Sequence, residues 1–374
     1  MREVLELPRL SLAERDRRWS ATRQQMKARG LDCIVLWGWP AMWDFCTANA
    51  RYLSPIGGNA EFNILVFPLH GDPTSFVLMP TFLDGWRASQ DWVSDIRARR
   101  GTWADSVAQR LGELLPKVEF INLDDMMESL RTIKSDEELE MLGRAARLGD
   151  LMLTTCRDTA RPGVKDCEVY GRMMEAMLAN GGEEPTLFLW ACDRYPYPHP
   201  FRLPTIRPIE RGDLITCEIH PKIGGYFTHV ERTFCVGEPE AEQRRIYDGC
   251  VAAYQEGMKL FAPGRPISTA MDRVRDVIHE RGLGMCETGI HGHGLASLEY
   301  PRYRHHALKA DQEALKTVGD EFRTGMVFAF NIDLFDPKYH DGKTGCVFAE
   351  TVVITKTGAR RMHEYSMDFQ TIAV

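Results

Sequence analysis

The fold of this chain is decided by one stretch, which reads Gly212-Asp213-Leu214-Ile215-Thr216-Cys217-Glu218-Ile219-His220, then Gly224-Gly225, then Tyr226-Phe227-Thr228-His229-Val230-Glu231-Arg232-Thr233-Phe234. Two β-prone runs around a Gly-Gly pair predict a β-hairpin. Because side chains alternate along a strand, Glu218 and His220 share one face, as do His229 and Glu231. If those faces coincide, two carboxylates and two imidazoles converge. Such a cluster is buried only when it is paired or functional, and the alternative is a solvated strand face.

Composition and charge exclude several classes of protein. The chain has 374 residues, of which 44% are hydrophobic and 26% charged, which is ordinary globular composition and enough for two domains. A net charge of -7 and the lack of a long basic run argue against a nucleic-acid partner. No run approaches the ~20 apolar residues of a membrane span, and Met1–Arg17 lacks an apolar signal core. The ten scattered cysteines form no CxxC pair, which favours reduced thiols and a cytoplasmic protein.

The first third of the chain alternates helical and strand patterns, which predicts a small α/β domain. Helices are predicted at 12–29 and 103–115, strands at 31–37, 62–68, 74–79 and 118–122, and a short segment ending in a turn at 49–55. Ser135, with Glu138 three residues later, forms a capping-box pattern that begins a helix reaching about Ala160. We therefore predict an N-terminal domain at 1–133 and a second domain at 134–374.

The second domain has a recognisable order of motifs. Further helices are predicted at 167–179, 242–261 and 267–281, an aromatic, Pro-rich loop at 195–201, a Gly-His-rich turn at 289–294, and strands at 186–190, 325–334 and 346–355. This order resembles the pita-bread family of creatinase, aminopeptidase P, prolidase and methionine aminopeptidase. The resemblance implies an α+β fold, in which a pita-bread catalytic domain follows a smaller creatinase-type α/β domain.

The metallopeptidases of that family hold two metal ions with Asp, Asp, His, Glu and Glu. In this chain the resemblance carries those positions to Glu218, His229, His293, Asn331 and Glu350. A neutral imidazole offers one lone pair to one metal, so His229 cannot bridge two ions, and Asn331 removes a charge. These replacements argue against a dinuclear centre. They leave His229, His293 and Glu350, with Glu218, as a tentative site for one Zn, Fe or Mn ion, and a metal-free pocket is the alternative.

The segment Gly225–Thr233 is more similar to creatinase, which works without a metal, than to the peptidases. That resemblance implies proton transfer by His199, substrate-binding carboxylates at Glu231 and Glu350, and a second histidine at His293. It also implies an arginine for a substrate carboxylate at Arg304, with Arg302 two residues away. The further substrate-binding residues predicted are Tyr226, Phe227 and Tyr300.

The leading hypothesis is therefore a creatinase-like hydrolase acting on a C–N bond of a small amino-acid-like or amidino compound. Three alternatives stay open. They are a single-metal hydrolase or lyase using His229, His293 and Glu350, an Xaa-Pro aminopeptidase or dipeptidase, and a non-catalytic pita-bread binding module. The expected partners are a small-molecule substrate and a second copy of the chain in a homodimer.

Overall fold

The computed structural model describes residues 9–39, 47–57, 62–80, 83–185, 187–198, 204–304 and 321–374, and for residue 304 only the backbone. The chain divides into two compact units, Met1–Arg131 with Leu295–Ser297, and Thr132–Gly294 with Leu298–Val374. In the part of the chain that is described, no helix has both the length and the apolar character needed to cross a membrane. The cysteines of the described residues are free thiols.

The helices of the described residues are α1 (Leu12–Ala28), α2 (Ala48–Leu53), α3 (Leu83–Ser89), α4 (Trp103–Leu114), α5 (Asp124–Thr132), α6 (Asp136–Thr159), α7 (Asp166–Ala179), α8 (Ala241–Leu260) and α9 (Ile267–Glu280). The strands are β1 (Cys33–Gly38), β2 (Asn63–Pro68), β3 (Thr74–Val77), β4 (Asp95–Ala98), β5 (Phe188–Asp193), β6 (Leu214–Ile219), β7 (Lys222–Ile223), β8 (Tyr226–Phe227), β9 (Val230–Val236), β10 (Gly284–Gly292), β11 (Glu299–Arg304), β12 (Val327–Phe335), β13 (Gly345–Thr355), β14 (Gly358–Arg361) and β15 (Gln370–Ile372).

The first unit is built on a four-stranded sheet in the order β1-β2-β3-β4, in which only the β3–β4 pair is parallel. Residues 49–53, part of the short segment predicted to end in a turn, belong to helix α2, which ends before Ser54. One sequence prediction is wrong here. Residues 118–122 pair with no described strand, and Phe120 is 74% exposed, so an apolar run without a strand partner did not form a strand.

The second unit is built on a larger sheet in the order β11-β10-β12-β13-β9-β6-β5, with β14 paired to β13 and β15 to β9. Helix α8 packs on this sheet, where Tyr254 contacts the rings of Phe330 and Phe348. The mixed helix-and-sheet architecture confirms the predicted α+β pita-bread fold. The sheet therefore has one face covered by helices and another on which the side chains of the hairpin meet.

Helix α6 connects to the hairpin through its first turn. The predicted capping box forms, since Ser135 Oγ accepts from the Glu138 N–H at 3.3 Å and Glu138 Oε2 accepts from the Ser135 N–H at 3.0 Å. The other oxygen of Glu138 accepts a hydrogen bond from Tyr226 Oη at 3.0 Å. The capping residue of α6 thus also fixes the connection between β6 and β9.

That connection contains a smaller hairpin, β7 and β8, that the sequence did not predict as a separate element. Gly224 and Gly225 form its two-residue turn with φ of 60° and 80°. Both values lie in the left-handed region, where glycine has no steric penalty, so the Gly-Gly pair is required by the turn. The Gly225 N–H also donates to Glu183 Oε1 at 2.7 Å, which anchors the turn.

Candidate functional site

The antiparallel register of β6 and β9 places Glu218 directly opposite Glu231, and His220 and His229 continue the same face beyond the ladder. His220 Nε2 lies 2.9 Å from Glu218 Oε1, and His229 Nε2 lies 3.1 Å from Glu231 Oε1 and 3.8 Å from Glu218 Oε1. All four side chains are buried. We call them the hairpin cluster, and their burial is incompatible with a solvated strand face.

His293 joins the hairpin cluster from the end of β10. Its ring centroid lies 5.4 Å from that of His220 and 5.5 Å from that of His229. Its backbone N–H donates to the Val327 carbonyl at 3.0 Å, which ties the turn to β12. Beside it, Gly292 has no room for a side chain, because a Cβ there would lie 2.4 Å from the Tyr300 carbonyl oxygen. The close approach of β10 and β11 therefore fixes the position of His293.

Two of the imidazoles are held in the neutral form. Burial lowers the pKa of His229 and of His293 well below the usual range, and the neighbouring imidazoles of His220 and His291 lower it further. Among the described residues, neither ring nitrogen of His293 has a hydrogen-bond partner, and Nδ1 of His220 and of His229 has none either. The imidazoles on this face of the sheet therefore have nitrogens that are available to a ligand.

Neighbouring strands complete this face of the sheet. Asn331 on β12 donates from Nδ2 to Glu231 Oε1 at 3.5 Å, and Thr351 Oγ1 on β13 accepts from the His229 N–H at 2.7 Å and donates to the His229 carbonyl at 2.9 Å. The ring of Phe227 stands edge-on to His293 at 5.4 Å. Phe227, one of the predicted substrate-binding residues, thus contacts the imidazoles of His220 and His293.

Glu350 lies elsewhere. Ala349 is the residue of β13 that stands opposite both Glu231 and Asn331, so Glu350 points to the other face of the sheet. There its carboxylate accepts hydrogen bonds from Arg232 and, at 3.4 Å, from Arg361 Nη1. The metal-binding and substrate-binding roles predicted for Glu350 do not fit this position, because its side chain and that of His229 lie on opposite faces of the sheet.

The other predicted site residues are placed as follows. Tyr226 bonds to the first turn of α6, and Tyr300 is buried in the apolar core around α8 and α9. The backbone of Arg304 pairs with Gly289 on β10, and its side chain lies outside the description. His199 also lies outside the described residues. Their predicted roles stay predictions.

Sequence reasoning gave no role to several buried polar residues of this face. His220 is one, although its alternation with Glu218 was a sufficient signal. Glu287 and Asp333, which are paired across β10 and β12, and His291, whose ring lies 4.8 Å from that of His293, extend the polar surface. Nothing in their spacing along the chain indicates this, because they meet only through strand pairing.

This sheet, with a buried group of carboxylates and imidazoles on one face and helices on the other, defines a pita-bread hydrolase. The solved structure of the X-Pro aminopeptidase from Thermotoga maritima MSB8 superposes with a TM-score of 0.78 over 95% of this chain and 99% of that chain, at 17% identity, which shows the shared fold.

Sequence comparisons agree with the fold. The model of metallopeptidase family M24 matches residues 140–356. The Xaa-Pro dipeptidase of Pyrococcus furiosus is 28% identical over 264 residues, which is 70% of this chain and 72% of that protein. The creatinase of Bacillus sp. (strain B-0618) is 23% identical over 263 residues, 69% of this chain and 63% of that protein. The chain belongs to metallopeptidase family M24, and it is a hydrolase of a C–N bond. The predicted family and enzyme class are confirmed.

The residues of this chain do not fit the two-metal centre that the family resemblance implies. Asn331 is neutral, and the position of β13 that faces Glu231 is Ala349, which has no ligand atom. His229 supplies one nitrogen to one ion. Of the five inherited positions, Glu218, His229 and His293 therefore keep a carboxylate or imidazole ligand on this face of the sheet, and Asn331 offers a neutral amide oxygen.

Proposed function

We propose that the chain hydrolyses the C–N bond of a small amide of about dipeptide size, and that Xaa-Pro dipeptides are its best candidate substrates. The single observation that carries this proposal is the buried carboxylate of Glu231, held by His229 at 3.1 Å in the hairpin cluster. The relatives named Xaa-Pro dipeptidase support the choice of substrate class. The side chains of the hairpin cluster are buried, which favours a small substrate over an extended polypeptide.

In this reaction Glu231 is the proton carrier. The carboxylate takes a proton from the water that attacks the carbonyl carbon, and it returns the proton to the nitrogen of the breaking C–N bond, so that a carboxylic acid and an amine are released. Because an ionised carboxylate only accepts hydrogen bonds, the Nε2–H of His229 and the Nδ2–H of Asn331 point at Glu231 Oε1 and hold its orientation. Phe227 supplies an apolar wall beside the imidazoles.

A second candidate is the hydrolysis of an amidino C–N bond, as the resemblance to creatinase suggests. The observation in its favour is the direct pairing of two carboxylates, Glu218 and Glu231, across β6 and β9. Two carboxylates on one side suit a planar cationic group such as a guanidinium, which carboxylates bind through paired hydrogen bonds. A dipeptide carries a cationic α-ammonium but not the planar paired donors of a guanidinium, so the two candidates predict different substrate preferences.

The test is a substrate panel with the full-length protein. Xaa-Pro dipeptides, the matching dipeptides without proline, creatine and other small guanidino acids are incubated separately, and the released amine is quantified by mass spectrometry. We expect turnover of Xaa-Pro dipeptides, and a loss of about 10²–10⁴-fold in rate for Glu231→Gln. Glu175→Gln is the matched control, because Glu175 lies exposed on α7 and pairs only with Arg172 among the described residues.

Turnover of guanidino acids but not of dipeptides would select the second candidate. A folded protein that hydrolyses no member of the panel would contradict both. His199, to which the resemblance gives proton transfer, is tested with the same panel, since His199→Ala loses most turnover if that role is right. Normal turnover in His199→Ala would leave the proton transfer to Glu231 alone.

A further inference from the structure

We propose that His220, His229 and His293 together bind one divalent transition-metal ion, as a mononuclear centre that differs in its ligands from the two-metal centre of the family. Two of these residues stand at inherited ligand positions, whereas His220 does not. The ion is of the Zn²⁺ or Fe²⁺ type, because imidazole nitrogen is a ligand that these ions accept and that Mg²⁺ and Ca²⁺ avoid.

The distances between the rings fit a single ion. One nitrogen from each of the three imidazoles lies within 4.8 Å of the others. Two nitrogens bound to one tetrahedral Zn²⁺ at about 2.1 Å are about 3.4 Å apart. Ring rotations that move a nitrogen by roughly 1 Å close this difference without a change of rotamer well. The ring centroids, at 4.5, 5.4 and 5.5 Å from one another, already form a compact triangle.

The hydrogen bonding of His293 points to a ligand. Its ring is completely buried, and among the residues described neither of its nitrogens has a hydrogen-bond partner. Leaving a buried polar group unpaired is unfavourable, so a buried imidazole with two unused nitrogens indicates a missing partner. A metal ion satisfies one nitrogen outright and removes part of this cost.

The surrounding charges favour a cation. The carboxylates of Glu218 and Glu231 lie within 4 Å of the imidazoles of the hairpin cluster. The buried ammonium of Lys134 is paired with Glu299 at 2.6 Å. Glu218 Oε1 contacts Nε2 of both His220 and His229, at 2.9 and 3.8 Å, so it can orient both rings.

The same residues explain why there would be one ion and not two. A second ion in the family's arrangement needs carboxylates that bridge, and this face of β12 and β13 offers Asn331 and Ala349 instead. Thr351 bonds to both backbone groups of His229 and fixes its backbone to β13. The three ligands thus stand directly beside the ends of strands β6, β9 and β10, which gives the preorganisation a selective metal site needs.

The experiment measures metal binding without any substrate. Full-length protein is stripped with a chelator and titrated with Zn²⁺ by calorimetry, and the Co²⁺-loaded protein is examined by optical absorption and by X-ray absorption for imidazole scattering. We expect one ion per chain and three imidazoles around Co²⁺. His220→Ala should weaken Zn²⁺ binding by about 100-fold or more, beyond the 10–100-fold typical of indirect effects.

His291→Ala is the matched control. Its ring lies 4.8 Å from His293 and 5.3 Å from His229, so it shares the surroundings of the proposed ligands without belonging to them. This variant should keep one ion with an affinity within a few-fold of the parent. Two ions per chain, no bound ion, or equal losses in His220→Ala and His291→Ala would overturn the proposal. If His220→Ala does not fold, the number of imidazoles that X-ray absorption finds around Co²⁺ in the parent protein tests the proposal, and fewer than three would overturn it.

This inference deepens the proposed function but can fail separately from it. Turnover of the panel by chelator-stripped protein with no bound ion would overturn the metal centre and leave the hydrolase. One bound ion with no turnover of any panel member would overturn the proposed substrates and leave the metal centre.

Discussion

Arg232 is a completely buried cation in β9, the strand that carries Glu231 and directly follows His229. Its guanidinium binds Glu350 and lies 4.6 Å from the centre of the Phe348 ring. Burial alone lowers the pKa of Arg232, but the Glu350 carboxylate more than offsets this and the net shift is upward. The remaining hydrogen bonds go to the backbone carbonyls of Glu231, Ala349, Tyr365 and Ser366. The pair therefore joins three segments of chain beneath the site.

At this pair we predict a loss of stability and not of catalysis. Glu350→Gln leaves the guanidinium of Arg232 buried without its counter-charge, which should lower the free energy of unfolding by about 3–5 kcal/mol. Arg232→Met should cost a similar amount, and the double variant less than the sum, because the two residues share one interaction. Urea unfolding measures all three. If Glu350→Gln were as stable as the parent but inactive, the catalytic role first predicted for Glu350 would be right.

Single residues show where prediction from the sequence stops. Alternation along two strands was enough to place Glu218, His229 and Glu231 on one face, because that relation depends on neighbours in the chain. Glu350 could not be placed, because its face depends on the register between β13 and β9, and a shift of one residue reverses the face. Arg232 and Glu350 are 118 residues apart in sequence, and no local pattern relates them.

Among the elements, the close approach of the paired strands β10 and β11 at Gly292 gives a second prediction. A methyl group there meets the backbone of β11, which cannot move aside as a flexible side chain would. Gly292→Ala should separate the strands, displace His293, and lower both stability and Zn²⁺ affinity. Gly171→Ala on helix α7 is the control, because its Cβ would meet nothing within 4 Å. It should stabilise the protein by about 0.5–1 kcal/mol. Unfolding and calorimetry compare the two, and equal effects would contradict the prediction.

Helix α1 gives a prediction about pH. Burial alone raises the pKa of Glu14, but its hydrogen bonds and charge interactions with Arg17 and Arg18 bring it below the ordinary value of 4.5. The folded state therefore holds this proton less tightly than the unfolded state. The contribution of Glu14 to the free energy of unfolding is complete above pH 4.5 and is lost as the pH falls through the lowered pKa of the folded state. Glu14→Gln should abolish this contribution, so the stability difference from the parent shrinks in acid. If the free energies of unfolding of the parent and of Glu14→Gln differ by the same amount from pH 7 to pH 3, the prediction is contradicted.

The elements themselves were predicted unevenly. Helices α1, α4 and α6 to α9, and strands β1, β2, β3, β5, β6, β9, β12 and β13 were anticipated, because each has a periodic apolar face or clear boundary residues. Strands β14 and β15 were not, since each is short and exists only by pairing with a longer strand. The run at 118–122 has the composition of a strand but no partner among the described strands, and composition alone cannot supply one.

For the whole molecule we predict a homodimer with domain limits at 1–133 and 134–374. The resemblance to creatinase implies that the N-terminal domain of one subunit approaches the catalytic pocket of the other, which gives the first domain a functional role. Multi-angle light scattering should report twice the chain mass of 42.6 kDa. A fully active monomer at working concentration would contradict the dimer.

The five hydrogen-bond acceptors of Arg232 also determine when the sheet can be completed during synthesis on the ribosome. The carbonyl of Ser366 that it binds is made 134 residues after it, and β15 then pairs with β9 in parallel. Until those residues emerge, the nascent chain holds an arginine with too few acceptors and a strand with an open edge. The catalytic sheet therefore matures late in translation, during which the chain is a substrate for chaperones and proteases.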